Sequence, residues 1–219
     1  MKQAKGILFD LDGTLIDSAP NIFQTLLFLA DKYELNVLPE NILRPYIGEG
    51  LAKLIRTSNP KVAEHISHTY ATEGFKHYRE NAPKNTDLYD GATKLLEFLN
   101  TNHIPWGIVT NKLRDMTDAI LNDLPILSTS NILICRDDLK VCKPNPYPLL
   151  KAASSLNLNP EDCIYLGDAK NDMLAAKNAD MIGVIATYGY LPENIKEIDE
   201  WPHFGKIQHI KDISKWIII

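Results

Sequence analysis

The stretch Gly6-Ile7-Leu8-Phe9-Asp10-Leu11-Asp12-Gly13-Thr14-Leu15 decides how the rest of the chain is read. Gly6 to Phe9 is a short apolar run without polar alternation, as expected of a strand covered on both faces. Two acids follow at once. In extended backbone, residues i and i+2 point to the same side. Asp10 and Asp12 therefore converge just past the carboxyl end of the strand, where open α/β sheets bind ligands. Gly13 lets the backbone turn there. Two close carboxylates repel, which calls for a cation or for one protonated acid. The first state suits a nucleophile and the second a general acid. A calcium loop does not fit, because it wants Gly at its sixth position and Glu at its twelfth, where Leu15 and Asn21 stand. The plainer alternative is a polar strand-to-helix turn.

Working outward, four more runs of the same kind follow: Pro105 to Val109, Asn131 to Ile134, Cys163 to Leu166 and Ile182 to Ala186. Helical patterns lie between them. One opens at Asp90-Gly91 with Leu95, Leu96 and Leu99 on one side, and one follows Asn111 with Met116, Ala119 and Ile120. Others span Tyr147 to Leu156 and Asn171 to Ala179. Strand-helix alternation implies parallel strands joined by right-handed crossovers, a doubly wound α/β sheet. The interval from Asp17 to about Thr86 breaks this rhythm, and about 70 residues is too long for a structureless loop. It reads as an inserted set of helices. Ser18 is placed to cap the first, with Pro20 in its first turn. Ile22, Leu26, Ala30 and Tyr33 repeat at helical spacing. Pro39 starts a shorter helix that ends at Arg44-Pro45, Gly48-Glu49-Gly50 forms a tight loop, and Leu51 to Thr57 and Pro60 to Asn81 are helical. The expected division is a core of residues 1–16 and 87–219 and an inserted helical domain of residues 17–86.

Composition excludes several function classes. The 219 residues carry 23 basic and 28 acidic side chains, a formal net charge of −5. An acidic chain with no basic block is a poor binder of nucleic acid, which runs on phosphate neutralisation. No apolar run approaches the ~20 residues that span a bilayer. The start, Met1-Lys2-Gln3-Ala4-Lys5, is followed by an apolar run too short for a signal-peptide core. The tail Trp216-Ile217-Ile218-Ile219 reads as a docked end. Three cysteines, Cys135, Cys142 and Cys163, fit a reducing cytoplasm and buried thiols better than a disulfide framework. No nucleic-acid or membrane partner is expected, and the chain is read as a monomer or homodimer.

Three further signals sit directly after predicted strands. Thr110-Asn111 offers a hydroxyl and backbone N–H groups near a helix start, although Thr-Asn also begins ordinary helices. In Lys143-Pro144-Asn145-Pro146, two prolines stiffen the segment that presents an ammonium. In Gly167-Asp168-Ala169-Lys170-Asn171-Asp172, the two acids lie four residues apart, on one helix face. Like charges at that spacing need an offset, and a hard, oxygen-seeking ion such as Mg²⁺ is a natural partner. All four signals share one edge of the sheet. Metal-gathering acids, an acidic nucleophile, hydroxyl and amide donors and one lysine together suit phosphoryl transfer, where catalysis is mostly positioning and charge stabilisation.

These motifs, Asp10-Leu11-Asp12-Gly13-Thr14-Leu15, Thr110-Asn111, Lys143-Pro144 and Gly167-Asp168 with Asp172, resemble those of the haloacid dehalogenase (HAD) superfamily over nearly the whole chain. The resemblance implies a Rossmann-like core with an inserted α-helical cap, Mg²⁺ dependence and an aspartyl-phosphate intermediate. By carry-over, Asp10 is nucleophile and metal ligand. Asp12 is general acid and base, with its backbone carbonyl on the metal. Thr110, Asn111 and Lys143 hold the phosphoryl group, Asp168 binds Mg²⁺, and Asp172 supports it directly or through water. Asp12 argues against the dehalogenase and phosphonate-cleaving branches. Thr14 resembles the phosphatases, where hexose-phosphate mutases more often carry Val. Leu88-Tyr89-Asp90-Gly91 and Tyr188-Gly189-Tyr190 are similar to the phosphoglycolate phosphatase group, but Asp90 replaces its usual Pro and Asp180 its usual Gly.

The expected function is a Mg²⁺-dependent phosphatase acting on a small phosphorylated metabolite, phosphoglycolate-like. The alternatives are a phosphomutase of the β-phosphoglucomutase type, a pyrophosphatase or nucleotidase, and a non-catalytic binding module. Specificity falls to the cap, where Arg44, Gly48, Glu49 and Lys53 are the candidates and Arg44 is placed to clamp a small carboxylate. His65 and His68 sit at i,i+3, but no Cys or carboxylate completes a metal site with them.

Overall fold

A computed structural model describes residues 4–81 and 86–217. In chain order the strands are β1 (Gly6–Phe9), β2 (Ile16–Asp17), β3 (Asp87–Leu88), β4 (Trp106–Val109), β5 (Ile132–Ile134), β6 (Cys163–Gly167), β7 (Ile182–Ala186) and β8 (Gly205–Ile207). The helices are α1 (Ala19–Tyr33), α2 (Glu40–Leu43), α3 (Leu51–Ser58), α4 (Glu64–Asn81), α5 (Ala92–Thr101), α6 (Arg114–Asp123), α7 (Tyr147–Ser155) and α8 (Lys170–Asn178). Short 3₁₀ turns link several of them. None of the described helices is long and apolar enough to cross a membrane.

Six parallel strands form one sheet in the order β5-β4-β1-β6-β7-β8. The five predicted strands are all present. Because successive side chains of a strand face opposite sides, β1 feeds two cores. Ile7 and Phe9 join Leu95, Leu96 and Leu99 of α5 and Met116 and Ile120 of α6 on one face. Leu8 joins Leu149, Ala152 and Ala153 of α7 and Ala175 and Ala176 of α8 on the other. Both faces are covered, which explains the unbroken apolar runs.

Two strands of two residues each form a second, antiparallel ribbon, with Ile16 opposite Leu88 and Asp17 opposite Asp87. The chain leaves the core along β2 and re-enters along β3. Between them, α1 to α4 share their own apolar cluster, centred on Leu26, Leu29, Leu43, Leu54, Ile55 and Ala71. Tyr190, from the loop after β7, reaches into this cluster.

Several local expectations are corrected. Ser18 precedes α1 but its side chain makes no cap bond; its hydroxyl donates to the Asp12 carboxylate instead. Gly48 and Glu49 belong to a 3₁₀ helix, Arg44–Glu49, and the turn falls at Gly50, with φ +90°. Helix α4 starts at Glu64, not near Pro60. Strands β2, β3 and β8 are additions to the predicted set. Asp180 holds φ +57°, the left-handed backbone that the expected glycine would take most easily. At the ends, Ile217 is buried and pairs with Ala4. Met1 to Gln3, Ile218 and Ile219, which belong to the predicted start and tail, lie outside the described residues, as do 82–85 of the predicted helical insertion.

Candidate active site

The sheet order sets β1 between β4 and β6. The residues after these three strands are Asp10 and Asp12, Thr110 to Lys112, and Asp168 with Asp172. They therefore meet at one edge. The ladder continues one step past β1, where Asp10 N–H donates to the Leu166 carbonyl at 2.9 Å. The chain then turns through Gly13, at φ +78°. A Cβ at Gly13 would lie 2.1 Å from Asp168 Oδ2, so the glycine serves both the turn and the close approach of the acid. Gly189 crowds Asp168 from the other side, where a Cβ would lie 2.4 Å from the Asp168 Cβ.

Lys143 is the hub. Its Nζ lies 2.8 Å from Asp10 Oδ1 and 2.7 Å from Asp172 Oδ1, and it donates to the Tyr165 hydroxyl at 2.7 Å. That hydroxyl donates in turn to the Val109 carbonyl at 2.8 Å. The Lys143 backbone is fixed by Asn111, whose Nδ2 donates to the Lys143 carbonyl at 3.0 Å and whose Oδ1 accepts from Lys143 N–H at 3.1 Å. Asn111 thus reaches the site through the lysine it holds. Thr110 Oγ1 accepts from Lys112 N–H at 3.1 Å, which shapes the same turn.

Asp168 is anchored by Thr14 Oγ1 at 3.3 Å and by Tyr190 N–H at 2.6 Å. Asp172 Oδ2 accepts from Ala169 N–H at 3.0 Å, fixing the first turn of α8. Oxygens of Asp10, Asp168 and Asp172 lie within 4.8 Å of one another. Burial raises the Asp10 carboxyl to a pKa of about 7; Lys143 opposes the rise and the Asp172 and Asp12 carboxylates add to it. Burial, then Asp172 and Asp10, push Asp168 well above the usual carboxylate range. Burial pulls the Lys143 ammonium down, but the flanking carboxylates outweigh it and its pKa is raised. Three buried acids around one lysine leave a charge deficit of two, all on hard oxygen donors, and that set fits a divalent cation such as Mg²⁺.

The Asp12 carboxylate stands apart from this trio. It is held by Ser18 Oγ and by Lys112, whose Nζ donates to both oxygens at 2.9 and 3.0 Å. The Lys112 ammonium also lies 4.5 Å from the centre of the Tyr78 ring of α4. Lys112 was not singled out from sequence, although its place beside Thr110-Asn111 was the available signal. Tyr190 was quoted only within a motif. Its hydroxyl donates to Asp17 Oδ1 at 2.9 Å and accepts from the N–H groups of Ser18 and Ala19 at 2.8 and 3.0 Å.

A cavity of about 1120 Å³ lies over Asp10 and Asp12 and is lined by residues of both the inserted helices and the sheet's loops. Gly48 and Glu49 line it; Arg44 and Lys53 do not. Arg44 is drawn away by Asp17 at 2.7 Å and Glu40 at 2.8 Å, over the face of the Tyr190 ring. Lys53 faces Glu49 at 3.5 Å.

A parallel α/β sheet whose strand ends gather three acids and a lysine beneath a set of inserted helices has the architecture of the HAD-like hydrolases. The chain belongs to the haloacid dehalogenase-like hydrolase family, whose model matches residues 7–186. Among its relatives, a phosphoglycolate phosphatase of Xanthomonas campestris is 33% identical over 190 residues, 87% of this chain and 86% of that one. An N-acetylmuramic acid 6-phosphate phosphatase of Pseudomonas putida is 29% identical over 215 residues, 97% and 96% of the two chains. A crystal structure described as a predicted phosphoglycolate phosphatase from Haemophilus somnus superposes with a TM-score of 0.86 at 27% identity, covering 98% of each chain.

Proposed function

We propose that this chain, a hydrolase of this family and a phosphoric monoester hydrolase like its named relatives, cleaves a small phosphomonoester through an aspartyl phosphate formed on Asp10, with Mg²⁺ as its ion. The observation that carries the reading is the three-acid cluster of Asp10, Asp168 and Asp172 around Lys143, beside a fourth acid held by its own lysine. We take residues 17–86 as the cap and 1–16 with 87–219 as the core.

Asp10, Asp168, Asp172 and the Asp12 backbone carbonyl would hold the ion. When bound, Mg²⁺ supplies charge neutralisation for the acids and for the phosphoryl oxygens. Lys143 offsets negative charge beside Asp10, and Thr110 and the Asn111 backbone hold the phosphoryl group at the turn they build. In the first step an Asp10 carboxylate oxygen bonds to phosphorus and the bond to the ester oxygen breaks. That oxygen leaves with the bonding pair and takes a proton from Asp12. In the second step water attacks phosphorus, its proton passes to the Asp12 carboxylate, and the Asp10–phosphorus bond breaks to release phosphate and restore the carboxylate. The cap excludes bulk water between openings.

The names of the relatives support phosphoglycolate and an N-acylated sugar phosphate as the first substrates to test. We place the enzyme in a reducing cytoplasm, as its three free thiols suggest. Phosphate release from a panel of phosphate monoesters, pyrophosphate and hexose 1-phosphates with Mg²⁺ tests the reading. Hydrolysis that chelation abolishes is expected, and isomerised hexose phosphate without free phosphate would instead indicate a mutase.

A further inference from the structure

We infer that the substrate's body beyond its phosphate is uncharged, apolar-flanked and much larger than a two-carbon acid, and that the cap wall of the cavity selects it. The inference rests on the phosphatase reading and names its substrate class.

Size is the first argument. Pockets that hold drug-sized ligands measure roughly 300–1,000 Å³, and this cavity is about 1120 Å³. A two-carbon acid anchored by its phosphate at Asp10 leaves most of that space as water against apolar wall. The inserted helices contribute Ile22, Tyr46, Ile47, Leu51, Ala71 and Phe75 to the lining, from α1, the 3₁₀ helix, α3 and α4, beside the hydroxyls of Thr25 and Thr72. Covering such surface is favourable for an apolar substituent and gives nothing to a short carboxylate.

Charge is the second. A phosphorylated carboxylic acid needs a second cation opposite the phosphate. Arg44 is paired with Asp17 and Glu40 and lies off the lining, and Lys53 is off it as well, beside Glu49. The inserted helices place Glu49 and His68 on the cavity, with the phenols of Tyr46 and Tyr78 and no lysine or arginine, and His68 lies 3.8 Å from Glu64. Lys112 and Lys143 are held by Asp12 and by Asp10 with Asp172. Arg136 and Lys170 also line the cavity, but they follow β5 and open α8, on the loops that carry the phosphate end. A carboxylate at the cap therefore meets a carboxylate.

Four monoesters of similar leaving alcohols separate these factors: ethyl phosphate, phosphoglycolate, 2-phenylethyl phosphate and N-acetylglucosamine 6-phosphate, each assayed with the full chain and Mg²⁺. The two large uncharged substrates are expected to exceed phosphoglycolate in kcat/KM by at least ~10-fold, the scale that pocket complementarity supplies, with most of the difference in KM. Phe75→Ala is expected to reduce the preference for 2-phenylethyl over ethyl phosphate. Glu49→Arg is expected to shift the ratio toward phosphoglycolate, a gain that misfolding cannot produce. A wild-type preference for phosphoglycolate overturns the inference and leaves the phosphatase reading standing. Absence of Mg²⁺-dependent phosphate release from all four removes the phosphatase reading itself.

Discussion

Lys112 Nζ donates to both carboxylate oxygens of Asp12, at 2.9 and 3.0 Å, with the lysine buried and the acid partly exposed. The pair fixes one carboxylate next to the proposed nucleophile and keeps it apart from the three-acid cluster. Removing the cation leaves the half-buried Asp12 carboxylate with Ser18 alone to hold it. Lys112→Met is expected to lower kcat by roughly 10²-fold, the lower end of what a positioned acid–base group contributes, with a smaller change in KM. It should also destabilise the fold by about 2–3 kcal/mol, because breaking a buried ion pair strands its partner. Steady-state kinetics and urea unfolding of the variant check both.

Tyr190 joins the inserted helices to the cluster of acids at the strand ends. Its N–H holds Asp168 at 2.6 Å, while its hydroxyl serves Asp17, Ser18 and Ala19 at the start of α1. Tyr190→Phe keeps the first contact and removes the second, leaving Ser18 N–H without its acceptor while Ala19 N–H keeps Asp17 Oδ1 at 3.1 Å. A loss of about 2 kcal/mol is expected, on the scale of stranding buried polar groups, with the metal affinity changed less than the stability. Thermal melts with and without Mg²⁺ separate the two effects.

Without a divalent ion, stability should fall as pH rises. The Asp10 carboxyl is raised from its usual value near 3.8 to about 7 in the folded chain, and burial raises Asp168 well above the usual range as well. Between about pH 4 and 7 the folded state therefore binds more protons than the unfolded one. Stability is fully present below the lower value and is lost as pH passes the upper one. A cation at the cluster reverses the loss. At a hundredfold excess over its Kd the gain is about 2.7 kcal/mol, which for a chain of this size raises Tm by roughly 5–10 °C. Melts across pH 5 to 8 with and without Mg²⁺ give the comparison.

Burial lifts the Cys135 and Cys163 thiols to about 11, so little thiolate is present at neutral pH. Cys142 is the less buried thiol. Iodoacetamide at pH 8 should label Cys142 first under native conditions and all three only on unfolding, as read by peptide mass spectrometry.

Much of this was legible because β1, β4, β6 and β7 are buried on both faces, so their apolar runs stand out. Asp10, Asp12, Lys143, Asp168 and Asp172 follow strands and were found from that position. The hidden parts have physical reasons. Strands β2 and β3 are two residues long and carry no period, and β8 holds an exposed lysine, Lys206, between its two ends. Ser18 looks like a helix cap by type, but Asp12 competes for its hydroxyl. Arg44 was placed to clamp a small carboxylate; Glu40, four residues before it, was a visible partner, but Asp17 lies 27 residues away. No local pattern exposes such a pairing.

The most direct test of Asp10 as the nucleophile is an acid-quenched single turnover on a slow substrate with Mg²⁺, followed by peptide mass spectrometry. A phosphate adduct that forms and decays on Asp10 is expected, absent in Asp10→Asn, whose turnover should fall by at least ~10³-fold, the loss expected of an obligatory nucleophile. An adduct on another residue, or an Asp10→Asn variant that keeps near-normal Mg²⁺-dependent activity, would contradict the mechanism.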